Sequence, residues 1–214
     1  MIFRLDERLL FPDPALAEPD GLLAIGGDLS AERLMLAYKN GIFPWYSDDE
    51  PILWYSPHER FVLHPPELRI SKSMKKILRT NVFTITINRN FAEVIQACSA
   101  APREGQAGTW ITDDMIAAYI NLHKKGYAHS VEVWQNNSLA GGLYGVQAGD
   151  VFCGESMFSA VSNSSKAALI WLCENSNYHL IDCQVYTEHL LSMGARMISR
   201  AEYINALHNT PPKP

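Results

Sequence analysis

Three β-like segments follow one another between Ala128 and Phe158, separated only by Asn136-Asn137 and by Ala148-Gly149-Asp150. Both connectors are favoured hairpin sequences, because Asn and Gly tolerate the positive φ that tight turns require. The spacing therefore predicts an antiparallel meander of strands at 128–134, 139–147 and 151–158. A meander with an apolar inner face must be covered by other elements, and this restricts the chain to layered folds.

The flanking sequence supplies the cover. Ser71 to Leu78 reads as an amphipathic helix with Ile70, Met74, Ile77 and Leu78 on one side. Val82 to Asn88 alternates as a strand, and Phe91 to Cys98 is helical. Thr112 caps a helix of Asp113 to Lys125 that Gly126 ends. A helix at Ser165 to Glu174, a strand at Leu180 to Val185 and a last helix with the capping-box pair Ser199 and Glu202 complete the order. The fold class is α+β (mixed α/β), and the order is compatible with an acyltransferase of the GNAT type. Eight of the twelve prolines fall within the first 66 residues. That region reads as loop-rich, with one helix from Ala31 to Lys39 capped by Asp28 or Ser30. Pro65-Pro66 breaks any helix, so we place a boundary near residue 60, between a small N-terminal domain (1–60) and a catalytic domain (61–214).

Of 214 residues, 47% are hydrophobic, enough for a sizeable core. Charges at Arg4, Asp6, Glu7 and Arg8 leave no signal-peptide core, and no apolar run approaches the roughly 20 residues of a membrane span. Cys98, Cys153, Cys173 and Cys183 follow no metal-ligand spacing and read as small buried hydrophobes. A cytoplasmic protein is expected. The net charge of −5 conceals an asymmetry: Arg69, Lys72, Lys75, Lys76 and Arg79 put +5 into eleven residues and leave −10 for the rest. Arg69, Lys72, Lys76 and Arg79 are spaced 3, 4 and 3 apart, so a helix brings them onto one stripe able to engage several phosphates without reading sequence.

Several chemistries are disfavoured. The chain lacks a Rossmann glycine fingerprint, a P-loop and a zincin motif. Gly154-Glu155-Ser156-Met157-Phe158 lacks the final glycine of a nucleophile elbow. After the strand ending near Phe158, Ser159 to Ser165 contains no glycine, so the phosphate cradle of a CoA-dependent enzyme is absent as well.

Four stretches go beyond generic packing: PDGLLAIGGDLS (Pro19 to Ser30) with GIFPWY (Gly41 to Tyr46), GTWIT (Gly108 to Thr112), FCGESMFS (Phe152 to Ser159) and IDCQV (Ile181 to Val185). With HSVEVW and LAGGLYGV, they closely resemble the leucyl/phenylalanyl-tRNA–protein transferases from about residue 10 to residue 207. The resemblance implies a GNAT-like catalytic domain and transfer of Leu, Phe or less often Met from aminoacyl-tRNA to proteins with N-terminal Arg or Lys, marking them for degradation. It implies no metal and no cofactor, and we expect a monomer without a membrane partner. It also implies that Trp45 and Trp110, both in turn-like contexts, sandwich the terminal adenine of the tRNA with Tyr119 nearby.

Such a reaction needs a proton acceptor and an apolar donor pocket. Asp182 and Gln184 are two apart on a strand, so alternation puts them on one face with Cys183 on the other. With the resemblance, Asp182 is favoured as proton acceptor or electrostatic anchor for the incoming amine, and Gln184 either orients that amine or binds the reacting carbonyl. Whether Asp182 is a base or a positioning group stays open. Glu155 is either a ligand for the donor's α-amino group or a buried salt-bridge partner. Cys153, Glu155 and Met157 share one strand face, which Phe152 and Phe158 cannot both join without a bulge. Leu143, Phe152, Met157, Leu172 and Ile181 are candidates for the donor pocket, by position in the resembling segments; plain core is the alternative for each.

Overall fold

The computed structural model describes residues 2–102 and 110–209. Gly108 and Thr109 of the GTWIT segment and residues 210–214 of the tail lie outside the described residues. The N-terminal region is more regular than its prolines imply. Short strands β1 (Phe3–Leu5), β2 (Leu22–Gly26), β3 (Phe43–Pro44) and β4 (Leu53–Tyr55) form a sheet in the order β1-β2-β4-β3, with helix α1 (Ala31–Lys39) between β2 and β3. Strands of two to five residues leave too short an alternation to read from sequence. Of the two candidate caps for α1, Ser30 does the capping, accepting the Arg33 N–H at 3.3 Å.

From residue 59 onward come β5 (Glu59–Leu63), α2 (Lys72–Arg79), β6 (Thr84–Ile87), α3 (Phe91–Ala100), α4 (Asp113–Lys124), β7 (Ala128–Gln135), β8 (Ser138–Ala148) and β9 (Val151–Ser159). They are followed by α5 (Ser164–Asn175), β10 (Leu180–Gln184), α6 (Glu188–Ser192), β11 (Arg196–Ser199) and α7 (Arg200–His208). The expected meander is present as β7-β8-β9. Asn136 and Asn137, both at positive φ (51° and 62°), make its first turn, and Gly149 at φ 63° makes the second. The strands extend into a seven-stranded sheet, ordered β11-β5-β10-β9-β8-β7-β6. Every pairing in it is antiparallel except β9 with β10, which α5 connects.

The large sheet is buried on both faces, and successive residues serve different cores. Phe61 and Leu63 pack with Leu143, Phe152 and Ile181 under α5. Val62, Tyr144 and Cys153 face the other way, into a cluster with Leu23, Tyr38, Trp54 and Tyr203. The small sheet therefore packs directly on one face of the large one. Trp54, fully buried, is the core indole, whereas Trp134 and Trp171, which regular elements would place in the core, are half-buried.

Gly145 lies where β8 and β9 approach most closely. A Cβ there would stand 2.3 Å from the Cys153 carbonyl oxygen and 2.6 Å from the Phe152 ring. Backbone cannot yield as a flexible side chain does, so Gly145→Ala is expected to destabilise the protein by about 3 kcal/mol, measurable by urea denaturation. A loss below about 0.5 kcal/mol would contradict that approach.

Candidate active site

The site arises where two adjacent strands lose their regularity together. β9 and β10 are paired only at Leu180↔Val151, Ile181↔Phe152 and Asp182↔Cys153. Just beyond, β9 bulges: Tyr144 opposes Ser156 and Gly145 opposes Gly154, leaving Glu155 as the extra residue. β10 does the same against β5, where Asp182 opposes Val62 and Gln184 opposes Phe61, leaving Cys183 extra. Gln184 stands at φ 60°. A bulge bends its strand and re-aims its side chains, so the two strands part here.

These bulges revise the strand-face reading. Asp182 and Gln184 do not share a face by simple alternation, because the register shift intervenes and the chain turns left-handed at Gln184. The bulge at Glu155 lets Phe152 join Met157 on one side, while Phe158 packs against the opposite core. Phe152 and Met157 are five residues apart, which alternation would put on opposite faces, yet both border the core under α5.

A polar chain runs through the parting. Arg60, on β5, donates from Nη2 to Asp182 Oδ2 in a short ion pair whose partners are almost fully buried. Asp182 Oδ1 accepts the Gln184 backbone N–H at 2.9 Å. Gln184 Nε2 donates to Glu155 Oε1 at 2.8 Å, and Tyr119 Oη donates to Glu155 Oε2 at 3.2 Å. Tyr119 in turn shares a short hydrogen bond with Tyr38. Burial pushes the Glu155 carboxyl up to about 7; the Asp182 charge reinforces this, while hydrogen bonds from Tyr38 and Tyr119 and the Arg60 charge oppose it. Glu155 is 5% exposed and Asp182 0%.

A cavity of about 660 Å³ occupies the parting, within the range of small-molecule sites. Leu143, Phe152, Met157, Leu172 and Ile181 all line it, joined by Leu169 and Leu190. Glu155, Asp182 and Gln184 border it as well. Trp45 and Trp110 lie on the same cavity, and Trp45, 42% exposed, sets its ring edge-on to Tyr55 at 5.8 Å. Tyr119, expected near the indoles, is not part of the cavity lining. It is fully buried on α4, where the Tyr38 hydroxyl and the Glu155 carboxyl satisfy a phenol that could not be interred unpaired.

The basic segment is exposed at Arg69, Lys72, Lys75, Lys76 and Arg79, but one helix does not carry all five. Ser71 adopts an extended conformation and caps α2 by accepting the Met74 N–H at 3.2 Å, so Arg69 precedes the helix. Lys72, Lys76 and Arg79 keep the i, i+4, i+7 spacing of one face, while Met74 anchors the opposite side in the core.

Arg60, Tyr38 and Tyr203 carry no local signal of a site, and Phe43 stands out only as part of the GIFPWY stretch. Arg60 reads as the polar start of an apolar strand, and its partner Asp182 lies 122 residues away. Among the described residues, no group of three or more His, Cys, Asp or Glu side chains could hold a metal ion.

A mixed sheet parted over an apolar cavity, with a carboxyl–carboxamide pair in the parting, has the form of a site for a small, largely apolar group. Residues 62–208 match the family model for leucyl/phenylalanyl-tRNA protein transferase, and residues 27–58 match that family's N-terminal domain. The chain is 56% identical over 209 residues to a leucyl/phenylalanyl-tRNA–protein transferase of Flavobacterium johnsoniae, covering 96% of this chain and 99% of that one. It is 54% identical over 215 residues to a protein of the same name in Syntrophobacter fumaroxidans, covering 99% and 92%. The chain belongs to the leucyl/phenylalanyl-tRNA–protein transferase family. Among solved structures, a GCN5-related N-acetyltransferase from Kribbella flavida superposes with a TM-score of 0.38 at 8% identity, covering 75% of this chain and 58% of that one, too low to carry an inference.

Proposed function

We infer that the chain moves leucine or phenylalanine from aminoacyl-tRNA onto the N-terminal arginine or lysine of acceptor proteins, forming a peptide bond. The observation that carries this reading is the parting of β9 and β10. There Gln184 and Glu155 meet an apolar cavity that also bears two indoles. An aminoacyl ester is already activated, so the protein must hold it, bring an amine within about 3 Å of its carbonyl and move one proton.

In this reading the wall of Leu143, Phe152, Met157, Leu172 and Ile181 takes the donor side chain, and Trp45 and Trp110 stack on the terminal adenine. The neutral α-amine attacks the ester carbonyl. The new C–N bond forms, the bond to the ribose oxygen breaks, and that oxygen finally takes the proton lost by nitrogen. With its NH₂ group donating to Glu155, Gln184 presents its carboxamide oxygen to the incoming amine. Glu155, held near neutrality, is the proton acceptor. Asp182, 0% exposed and ion-paired to the buried Arg60 guanidinium, acts as a positioning group rather than as the base. Methionine as a further donor, a degradative fate for the product, a cytoplasmic location and a monomeric state belong to the same proposal. No helix among the described residues is long and apolar enough to cross a membrane.

Radiolabelled Phe-tRNA, incubated with the protein and an acceptor beginning with Arg, is expected to pass its label to the acceptor and not to one beginning with Gly. Label that stays on the tRNA sinks the reading. The basic face of α2 supports acceptor-stem binding. Reversing Lys72, Lys75 and Lys76 to Glu is expected to weaken tRNA binding at least tenfold at low salt. It should also flatten the salt dependence by about one unit of slope for each phosphate no longer neutralised. Unchanged binding in a filter assay overturns that assignment.

A further inference from the structure

We propose that Arg60 is a positioning residue of the transfer site: clamped between Phe43 and Tyr203, it fixes Asp182, and through Asp182 the left-handed bend that presents Gln184. The inference rests on the transferase reading and extends it to a residue outside the cavity lining. The Arg60 guanidinium lies 4.6 Å from the ring centroids of both Phe43, on β3, and Tyr203, on α7. Three separate parts of the chain thus meet at one side chain, which is 1% exposed. Two aromatic rings in cation–π range restrict where the guanidinium can sit. From that position its Nη2 donates to Asp182.

The arrangement is a poor way to gain stability. Nε and Nη1 of Arg60 are buried and meet no hydrogen-bond acceptor among the described residues. Buried donors left unmade are costly, and buried ion pairs are often no better for stability than apolar replacements. What the pair does is local. One oxygen of Asp182 is taken by Arg60, and this turns the other towards the backbone N–H of Gln184, 2.9 Å away. That bond closes the bend in which Gln184 holds φ 60°, a conformation unfavourable for a residue with a side chain. The bend in turn aims the Gln184 side chain at Glu155, 2.8 Å away, instead of along the strand. Lysine offers a charge at this position but no planar fork for the two rings to orient.

The test compares wild type, Arg60→Lys and Arg60→Met in the label-transfer assay at a low temperature where circular dichroism shows each variant folded. Arg60→Met is expected to lower kcat about 100-fold, and Arg60→Lys about tenfold, with KM for Phe-tRNA within threefold of wild type in both. A merely structural role would lower the melting temperature and leave kcat per folded molecule unchanged. If Arg60→Met fails to fold, Arg60→Lys decides the matter, and wild-type kcat in that variant overturns the proposal. A wild-type protein that transfers no label fails the transferase reading itself, an outcome distinct from active wild type with an equally active Arg60→Lys.

Discussion

Asp182→Ala is expected to destabilise the protein by roughly 3–5 kcal/mol, because it strips a buried guanidinium of its counter-charge. Arg60 and Asp182 are 1% and 0% exposed, and burial would pull the Arg60 pKa down were it not for Asp182, whose charge and hydrogen bond raise it instead. The same substitution frees the Gln184 amide, so transfer activity is expected to disappear even at temperatures where the variant remains folded. Urea denaturation measures the first effect, and a loss below about 1 kcal/mol would contradict the pair. The exposed pair Lys125–Glu32, 3.5 Å apart, is the control, and Lys125→Ala should leave the denaturation midpoint unchanged.

The second large effect concerns Glu155, and it depends on pH. Its carboxyl is raised from an ordinary 4.5 to about 7 in the folded protein, chiefly by burial. Between those values the folded chain holds a proton that the unfolded chain has released. Glu155 therefore makes the protein lose stability as pH rises from about 4.5 to about 7, after which its contribution is level. The shift corresponds to roughly 3 kcal/mol. Glu155→Gln cannot ionise, and its amide oxygen can still accept from Gln184. The variant is expected to match wild type near pH 4.5 and to exceed it by up to roughly 3 kcal/mol at pH 8. Groups elsewhere titrate alike in both proteins, so the difference between the two stability–pH curves isolates this carboxyl. Parallel curves would rule out a raised pKa. Activity should move the other way: without a proton acceptor, kcat is expected to fall about 10²- to 10³-fold. A variant that is both more stable and inactive marks a group held under strain for function.

Much of the fold is legible in the sequence because its causes are local. Asn136-Asn137 and Gly149 sit at turns that need positive φ, and Thr112 and Ser199 cap helices within three residues of themselves. The meander and the basic helix follow from signals of this range, whereas the apolar candidates for the cavity wall come from their position in the resembling segments. The short N-terminal strands, β11 and α6 are not legible, since two to five residues hold too little periodicity to stand out. Arg69 reads as part of the helical stripe because charge spacing continues past a helix end, whereas Ser71 stops the helix.

The sequence alone singled out candidate residues, because the types required by an ester, an amine and an RNA end are few and stand in recognisable segments. Only the tertiary structure decided what each can do. Residues 122 apart in the chain make Asp182 the ion-pair partner of Arg60, and α4 takes Tyr119 inside to meet Glu155. Bulges on neighbouring strands bring Gln184 and Glu155 face to face, although alternation along either strand alone would not. The physical reason is that residue type and helix or turn preference act over a few neighbours. Burial, charge pairing and strand register are settled by whatever the rest of the chain packs against them.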